Sequence, residues 1–203
     1  MTAEPIVLAR FCQEWLELVA LEDEPFRSRF FERVPPEIRA QIDKSLRVAW
    51  LPLSIHVTLG DIMLEAFGSA RAHDYYRRSF VRAVKGPVFG PLFVTGIRLF
   101  GVSPATIIRW GSRGYEAGFK NAGRIVGRSL APGRARLEFF DLPAVCTASE
   151  GWATAMLGTT YGIYDVLGVE GVIRTDMRAV HEGTVKLDFE WSEEKGGGDS
   201  AAR

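Results

Sequence analysis

Cysteine is scarce in this chain. Cys12 and Cys146 are the only two among 203 residues, far apart and without a secretory context, which excludes a disulfide framework and a Cys-rich zinc site. Histidine is nearly as rare: His56, His73 and His181 show no His-x-x-x-His spacing, so no metal centre is expected. There is no excess charge of either sign, because Lys plus Arg and Asp plus Glu both number 25. Without a long-range field to draw the chain to phosphate backbones, nucleic acid is disfavoured as a partner. Long apolar runs are also missing. The most apolar stretch, Pro87 to Phe100, is interrupted by Gly90, Pro91, Gly96 and Arg98 and falls short of the roughly 30 Å of a membrane core, so no transmembrane segment is expected. The opening Met1-Thr2-Ala3-Glu4-Pro5 is acidic where a signal peptide is basic, and a cytoplasmic protein is expected. No Gly-x-Ser-x-Gly elbow, Walker loop or dinucleotide fingerprint occurs, so no residue is assigned a catalytic role and an enzyme is the least favoured reading.

What is present is the composition of an ordinary folded domain, 47% apolar and 25% charged, long enough to bury a core. Val7, Phe11, Trp15, Leu18 and Val19 recur at helical spacing, and Pro25 and Pro36 each read as a first-turn proline opening a further helix. Pro52 opens a fourth, ended by Gly68, and Ala70 to Lys85 adds another. The first 85 residues are thus expected to be helical. Ser103-Pro104 caps a helix reaching about Lys120, in which Gly111, Gly114 and Gly118 point to close approach of another backbone or of a flat ligand. Beyond Asn121 the period changes to that of strands. Arg124 to Leu130 and Arg134 to Phe140 flank the turn Ala131-Pro132-Gly133, with Ala135, Leu137 and Phe139 inward. Thr147 and Glu150 have the offset of a capping box opening a long helix that stops at Gly168. Val172 to Arg178 and the alternation Val185, Leu187, Phe189, Trp191 form a last hairpin with one wet face. The fold class is therefore α+β: an N-terminal helical layer with a C-terminal antiparallel strand-strand-helix-strand-strand unit. A single domain over 1–191 is expected, mainly helical over 1–121 and sheet-forming over 122–191, followed by a disordered tail over 192–203.

His73 and Tyr76 lie one turn apart on an apolar stripe, either as functional groups or as hydrogen-bonded structural ones. His56 is expected to be buried with a partner and His181 exposed in a turn. Cys12 belongs to an apolar helix face. Cys146 precedes a helix start, where a thiolate can be stabilised, but no base is placed beside it by motif. Arg109, Arg113, Arg124 and Arg128 make a basic run, read as solvated surface with an anionic headgroup or partner carboxylate as the alternative. Trp110, Tyr115, Trp152, Tyr161 and Tyr164 come from the two helices that bracket the first hairpin. Core packing explains most of them, and their polar tips also suit the orientation of an amphipathic ligand at the edge of an apolar cavity.

Gly158-Thr-Thr-Tyr-Gly162, Leu167-Gly168-Val169-Glu170-Gly171 and the ending Val185-x-Leu187-x-Phe189-x-Trp191 resemble a paralogous family of uncharacterised proteins of about 200 residues from myxobacteria. The helical lead with a strand-rich end is similar, more distantly, to the 4-vinyl-reductase-like hydrocarbon-binding domains and related trafficking-complex subunits, and to haem-based nitric-oxide sensors. That resemblance implies a fold able to hold an acyl-like ligand in an apolar cavity. The metal-associated cysteines of the former and the Tyr-x-Ser-x-Arg haem contact of the latter are absent, so no cofactor is expected. The resulting expectation is a non-enzymatic ligand-binding or sensory module for a hydrophobic or amphipathic small molecule, with His73, Tyr76, Trp110, Tyr115, Trp152 and Tyr161 as candidate ligand contacts. The alternative is a scaffold or dimerisation protein, a homodimer or the docking site of a protein partner, that uses the 87–100 segment.

Overall fold

The computed structural model describes residues 3–85 and 103–192. The 87–100 segment expected to form an interface, and the tail beyond residue 192, lie outside them. The fold is α+β, with helices gathered in the first half and an antiparallel sheet in the second.

The chain opens with a strand that periodicity alone reads as helix. β1 (Ile6–Leu8) pairs antiparallel with β2 (Trp50–Pro52) on one side and β3 (Phe119–Lys120) on the other. These pairings are remote in sequence, so a three-residue strand has no local signal that distinguishes it from the first turn of a helix. α1 (Ala9–Ala20) follows directly and buries Cys12, Trp15, Leu16 and Val19. α2 (Glu24–Phe31) starts where Asp23 accepts a hydrogen bond from the Phe26 amide, and α3 (Pro36–Lys44) starts on its proline. Pro52 closes β2, and α4 (Leu53–Lys85) begins one residue later. Gly68, with φ 75° and ψ 165°, is non-helical and divides α4 into two helical segments at the stop expected there; that conformation is open to glycine and costly to other residues.

α5 (Pro104–Gly118) is capped by Ser103, which accepts from the Thr106 amide. β4 (Arg124–Ala131) and β5 (Arg134–Phe140) form the expected hairpin. The short α6 (Ala144–Thr147) precedes α7 (Glu150–Leu167), whose N-cap is Ser149 and not Thr147: the Ser149 hydroxyl accepts from the Trp152 amide, while Thr147 belongs to α6. Gly168 ends α7 in the left-handed conformation. β6 (Gly171–Asp176) and β7 (Val185–Trp191) complete a sheet of order β4-β5-β7-β6. Register pairs Ala135 with Phe189, Leu137 with Leu187 and Phe139 with Val185, and all six are buried on the helix side. One residue out of phase, Arg136 pairs with Asp188 on the wet face at 2.6 and 3.0 Å.

α4 and α7 meet almost backbone to backbone. A Cβ on Gly151 would stand 2.4 Å from Gly60 C and from Asp61 N, and one on Gly158 would stand 2.5 Å from the His73 carbonyl oxygen. Asp61 accepts hydrogen bonds from the Ser149 hydroxyl at 2.6 Å and from the Gly151 amide at 3.1 Å, tying α4 to the start of α7. Further along the seam, Arg77 grips Asp165 with two hydrogen bonds.

Candidate functional site

The apolar face of α1 turns Trp15 toward α4, and the first turn of α4 brings His56 against it. The ring centroids are 5.0 Å apart. Tyr76, from beyond the kink, meets Trp15 edge-on at 5.1 Å, and Phe119 in β3 meets His56 at 5.7 Å. Phe119 stacks on Tyr115 at 4.6 Å and on Phe11 at 5.6 Å. Tyr115 leads to Phe139 at 6.3 Å and Phe139 to Trp152 at 6.0 Å. A continuous line of rings thus runs from the helical layer to the sheet.

The polar tips along this line are of two kinds. Tyr115 donates its hydroxyl hydrogen bond to the Ala122 carbonyl at 2.7 Å, and Tyr75 to the Trp15 carbonyl at 3.2 Å. Trp15 Nε1 and the Tyr76 hydroxyl have no hydrogen-bond partner among the described residues, although the two residues are only 6% and 5% exposed. A buried polar group left unpaired costs about 1–3 kcal/mol, so two of them side by side require a reason. Burial pushes the Tyr76 phenol well above its ordinary value, with Tyr75 and Asp61 adding to the rise. Burial also lowers His56 to about 4, leaving a neutral ring near pH 7, with Nδ1 4.0 Å from Cys12 Sγ. His56 is surrounded by protein yet keeps part of its surface accessible, as do its neighbours Phe11, Tyr115 and Phe119.

The six expected ligand contacts do not converge on one point. Tyr76, Tyr115 and Trp152 lie along the ring line described above. His73 and Tyr161 meet each other at 5.2 Å on the α4–α7 seam, where Tyr161 oxygen accepts from the Ile173 amide at 3.2 Å. Trp110 is 38% exposed on α5, under the Arg113 guanidinium. Trp15, His56, Phe11 and Phe119 are additions that sequence reasoning did not select. A polar-tipped aromatic on the apolar face of α1 was the available signal for Trp15; Phe119 becomes a neighbour only through β-pairing.

The glycines on α5 are placed differently from their expected role. Nothing lies within 4 Å of a Cβ at Gly114, and Gly111 would touch only Leu137 Cδ1 at 3.9 Å; Gly118 alone is crowded, by the Phe11 ring. Close helix approach belongs to Gly151, Gly158 and Gly162 on α7, because that helix is buried between α4 and the sheet. Burial raises Cys146 and Cys12 to about 12, so neither is a thiolate near neutral pH. Of the basic run, Arg124 pairs with Asp141 at the surface, and the exposed Arg128 reaches the buried Glu138 at 3.6 Å. His181 is exposed beside Glu182. Among the described residues no group of three His, Cys, Asp or Glu side chains could hold a metal ion, and no helix is long and apolar enough to cross a membrane.

No family model and no curated protein matches this chain. Solved structures do. It is similar to the Fe(II) unliganded H-NOX protein from K. algicida, with 11% identity, TM-score 0.63, and coverage of 93% of this chain and 98% of that one. It is also similar to an oxygen-binding H-NOX domain related to soluble guanylate cyclases, solved as its oxygen complex, at 9% identity and TM-score 0.61 over 95% of this chain and 99% of the other. A third is the H-NOX protein from S. oneidensis in the Fe(II)NO ligation state, at 10% identity and TM-score 0.61 over 91% and 99%. At these identities the likeness establishes the H-NOX-like fold.

Proposed function

We propose that this chain is a non-enzymatic ligand-binding or sensory module that takes a small hydrophobic or amphipathic molecule into its interior. The observation that carries the reading is the pair of unpaired polar tips, Trp15 Nε1 and Tyr76 hydroxyl, behind half-covered aromatic rings. The fold supports it by analogy, since H-NOX neighbours are described in oxygen and nitric-oxide ligation states.

Haem, named among those neighbours, finds no free axial ligand on the aromatic line or on α5. Haem iron takes an axial His, Cys, Met or Tyr. His56 packs between Trp15 and Phe119, Tyr115 spends its hydroxyl on Ala122, and Met63, Cys12 and Cys146 are buried as closed core. α5, which lies on the sheet, carries no His, Cys or Met, and a Cβ at Gly127 of β4 would stand only 2.0 Å from the Ile108 carbonyl oxygen of α5, leaving no gap there for a planar macrocycle. Residues 86–102 contain no His, Cys, Met or Tyr either.

Native mass spectrometry of the purified protein, with solvent extraction of the same sample, tests the reading. A stoichiometric small molecule, or a thermal shift with compounds that have an apolar body and one polar group, is the expected result. Neither retained mass nor any thermal shift would sink it.

A further inference from the structure

We propose that the recess between the end of β6 and the start of β7, on the face of the sheet turned away from the helices, binds the carboxylate of a small organic acid through the Lys186 ammonium, with the Thr184 hydroxyl donating beside it. This site is separate from the interior ligand proposed above and goes beyond it.

The recess has a volume of about 200 Å³ and is lined by Asp176, Arg178, Ala179, Thr184 and Lys186. A more open hollow of about 640 Å³ adjoins it, sharing Asp176 and Arg178 and reaching Thr175, Met177 and Asp188. Strand alternation builds the wall. Val185 and Leu187 are fully buried on the helix side, so Thr184 and Lys186 share the opposite face, where both are half-buried.

The pairing of charges on that face leaves one cation over. Arg124 meets Asp141 at 3.2 Å, Arg128 meets Glu138 at 3.6 Å, Arg136 meets Asp188 at 2.6 Å, and Arg134 and Arg174 share Glu190 at 3.1 and 2.9 Å. Of the cations carried by β4 to β7, Lys186 alone makes no ion pair among the described residues. It stands in register between Glu138 and Asp176, but both acids are drawn elsewhere. Glu138 faces Arg128, and Asp176 accepts from the Arg178 amide, Nε and Nη2 at 3.1, 2.9 and 2.7 Å. Those hydrogen bonds hold the Asp176 carboxyl well below the usual range, and the field of Lys186 adds to the fall, so the ammonium charge is felt at the recess. The Thr184 amide is taken by the Ala179 carbonyl, while its hydroxyl makes no hydrogen bond among the described residues.

These groups set the ligand class. An ammonium has three hydrogens to donate and a hydroxyl one, and the oxygens of an anion satisfy both. Lys186 and Arg178 against Asp176 leave the lining with a single positive charge, which one carboxylate matches. A phosphate dianion would bring a second negative charge against the fixed Asp176. About 200 Å³ lies below the roughly 300–1,000 Å³ of sites for drug-sized ligands, so the acid is small, with its body resting by Met177 in the hollow.

Butyrate, butyramide and inorganic phosphate, each titrated at constant ionic strength, probe the site through the backbone amide resonances of Ala179, Thr184 and Lys186. Butyrate is expected to shift them saturably while the resonances of Arg134 and Arg174, on the same face, stay still. Lys186→Met is expected to weaken butyrate at least about 10-fold, the loss of a charge-assisted hydrogen bond, and Thr184→Val about 3–10-fold. Should Lys186→Met fail to fold, Thr184→Val and the Lys186 ammonium resonance of the unaltered protein carry the test. Butyramide binding as tightly as butyrate would overturn the anion site, and phosphate binding more tightly would overturn the carboxylate class. Shifts spread evenly over the arginines of the face, or butyrate binding unchanged in both variants, would reduce the effect to general ion screening and overturn it too. Neither variant alters the helix side of the sheet, so failure here leaves a retained interior ligand, and the function proposed from it, untouched.

Discussion

α4 takes part in two regions built on opposite terms. Along its seam with α7, glycines remove side chains altogether, backbones approach to contact, and Asp61 and Arg77 are met by Ser149, Gly151 and Asp165. In the aromatic cluster around Trp15, the same helix contributes His56 and Tyr76 to a place where large rings meet and two donors go unmet. The seam is where the fold gains rigidity, since tight contact between fixed backbones leaves nothing to rearrange. The cluster instead carries the cost of two buried donors that find no partner among the described residues.

The sharpest break in this contrast is Gly151→Leu. Even the first carbon of a side chain meets backbone atoms of Gly60 and Asp61, so overpacking above about 3 kcal/mol is expected, and a Tm decrease of less than a few degrees would show that the seam yields. His56 tests the other region. Its folded-state value of about 4 lies below the ordinary 6.5, so the unfolded chain takes up a proton first as the pH falls. Stability is full above pH 6.5 and is lost between 6.5 and about 4, by up to about 3 kcal/mol. Denaturant titrations across that window should show the loss in the unaltered protein and a flatter profile in His56→Gln; equal slopes would remove His56 from the buried cluster. Gly114→Ala is a control outside both regions, where only helix propensity acts. It is expected to stabilise by about 1 kcal/mol and raise the Tm by a few degrees, and a fall would mean that α5 is covered there. The smallest effect belongs to the Arg77–Asp165 pair. Being largely solvent-exposed, it should give a coupling of about 0.2–1 kcal/mol in a double-mutant cycle at low salt, shrinking as salt is added; a larger, salt-independent value would make the ion pair a principal clamp of the seam.

Much of the architecture was legible before any coordinates. Ser103 before Pro104, the proline starts of α2 and α3, the αL glycine after α7 and the alternation through Val185, Leu187 and Phe189 are local signals, because caps, turns and strand faces are decided by residues within a few positions of each other. The three-residue strands β1 and β2 escaped, since each exists only through a partner more than forty residues away. The glycines show the same limit from another side. Gly111 and Gly114 on α5 and Gly158 and Gly162 on α7 look alike in a sequence, and which of them faces a backbone depends on which helix is buried.

Of the expected site, Tyr76, Tyr115 and Trp152 do lie on one aromatic line, whereas His73, Tyr161 and Trp110 lie elsewhere. Periodicity and residue chemistry settle that the chain makes helices first and a half-wet antiparallel sheet last, and that its thiols and histidines form no metal motif, because those properties are local. The meeting of Trp15, His56, Tyr76 and Phe119, and the lack of a partner for two of their polar atoms, arise only when α1, α4 and β3 are packed together. A hydrogen bond left unmade is a property of a position in space, and no span of sequence contains it.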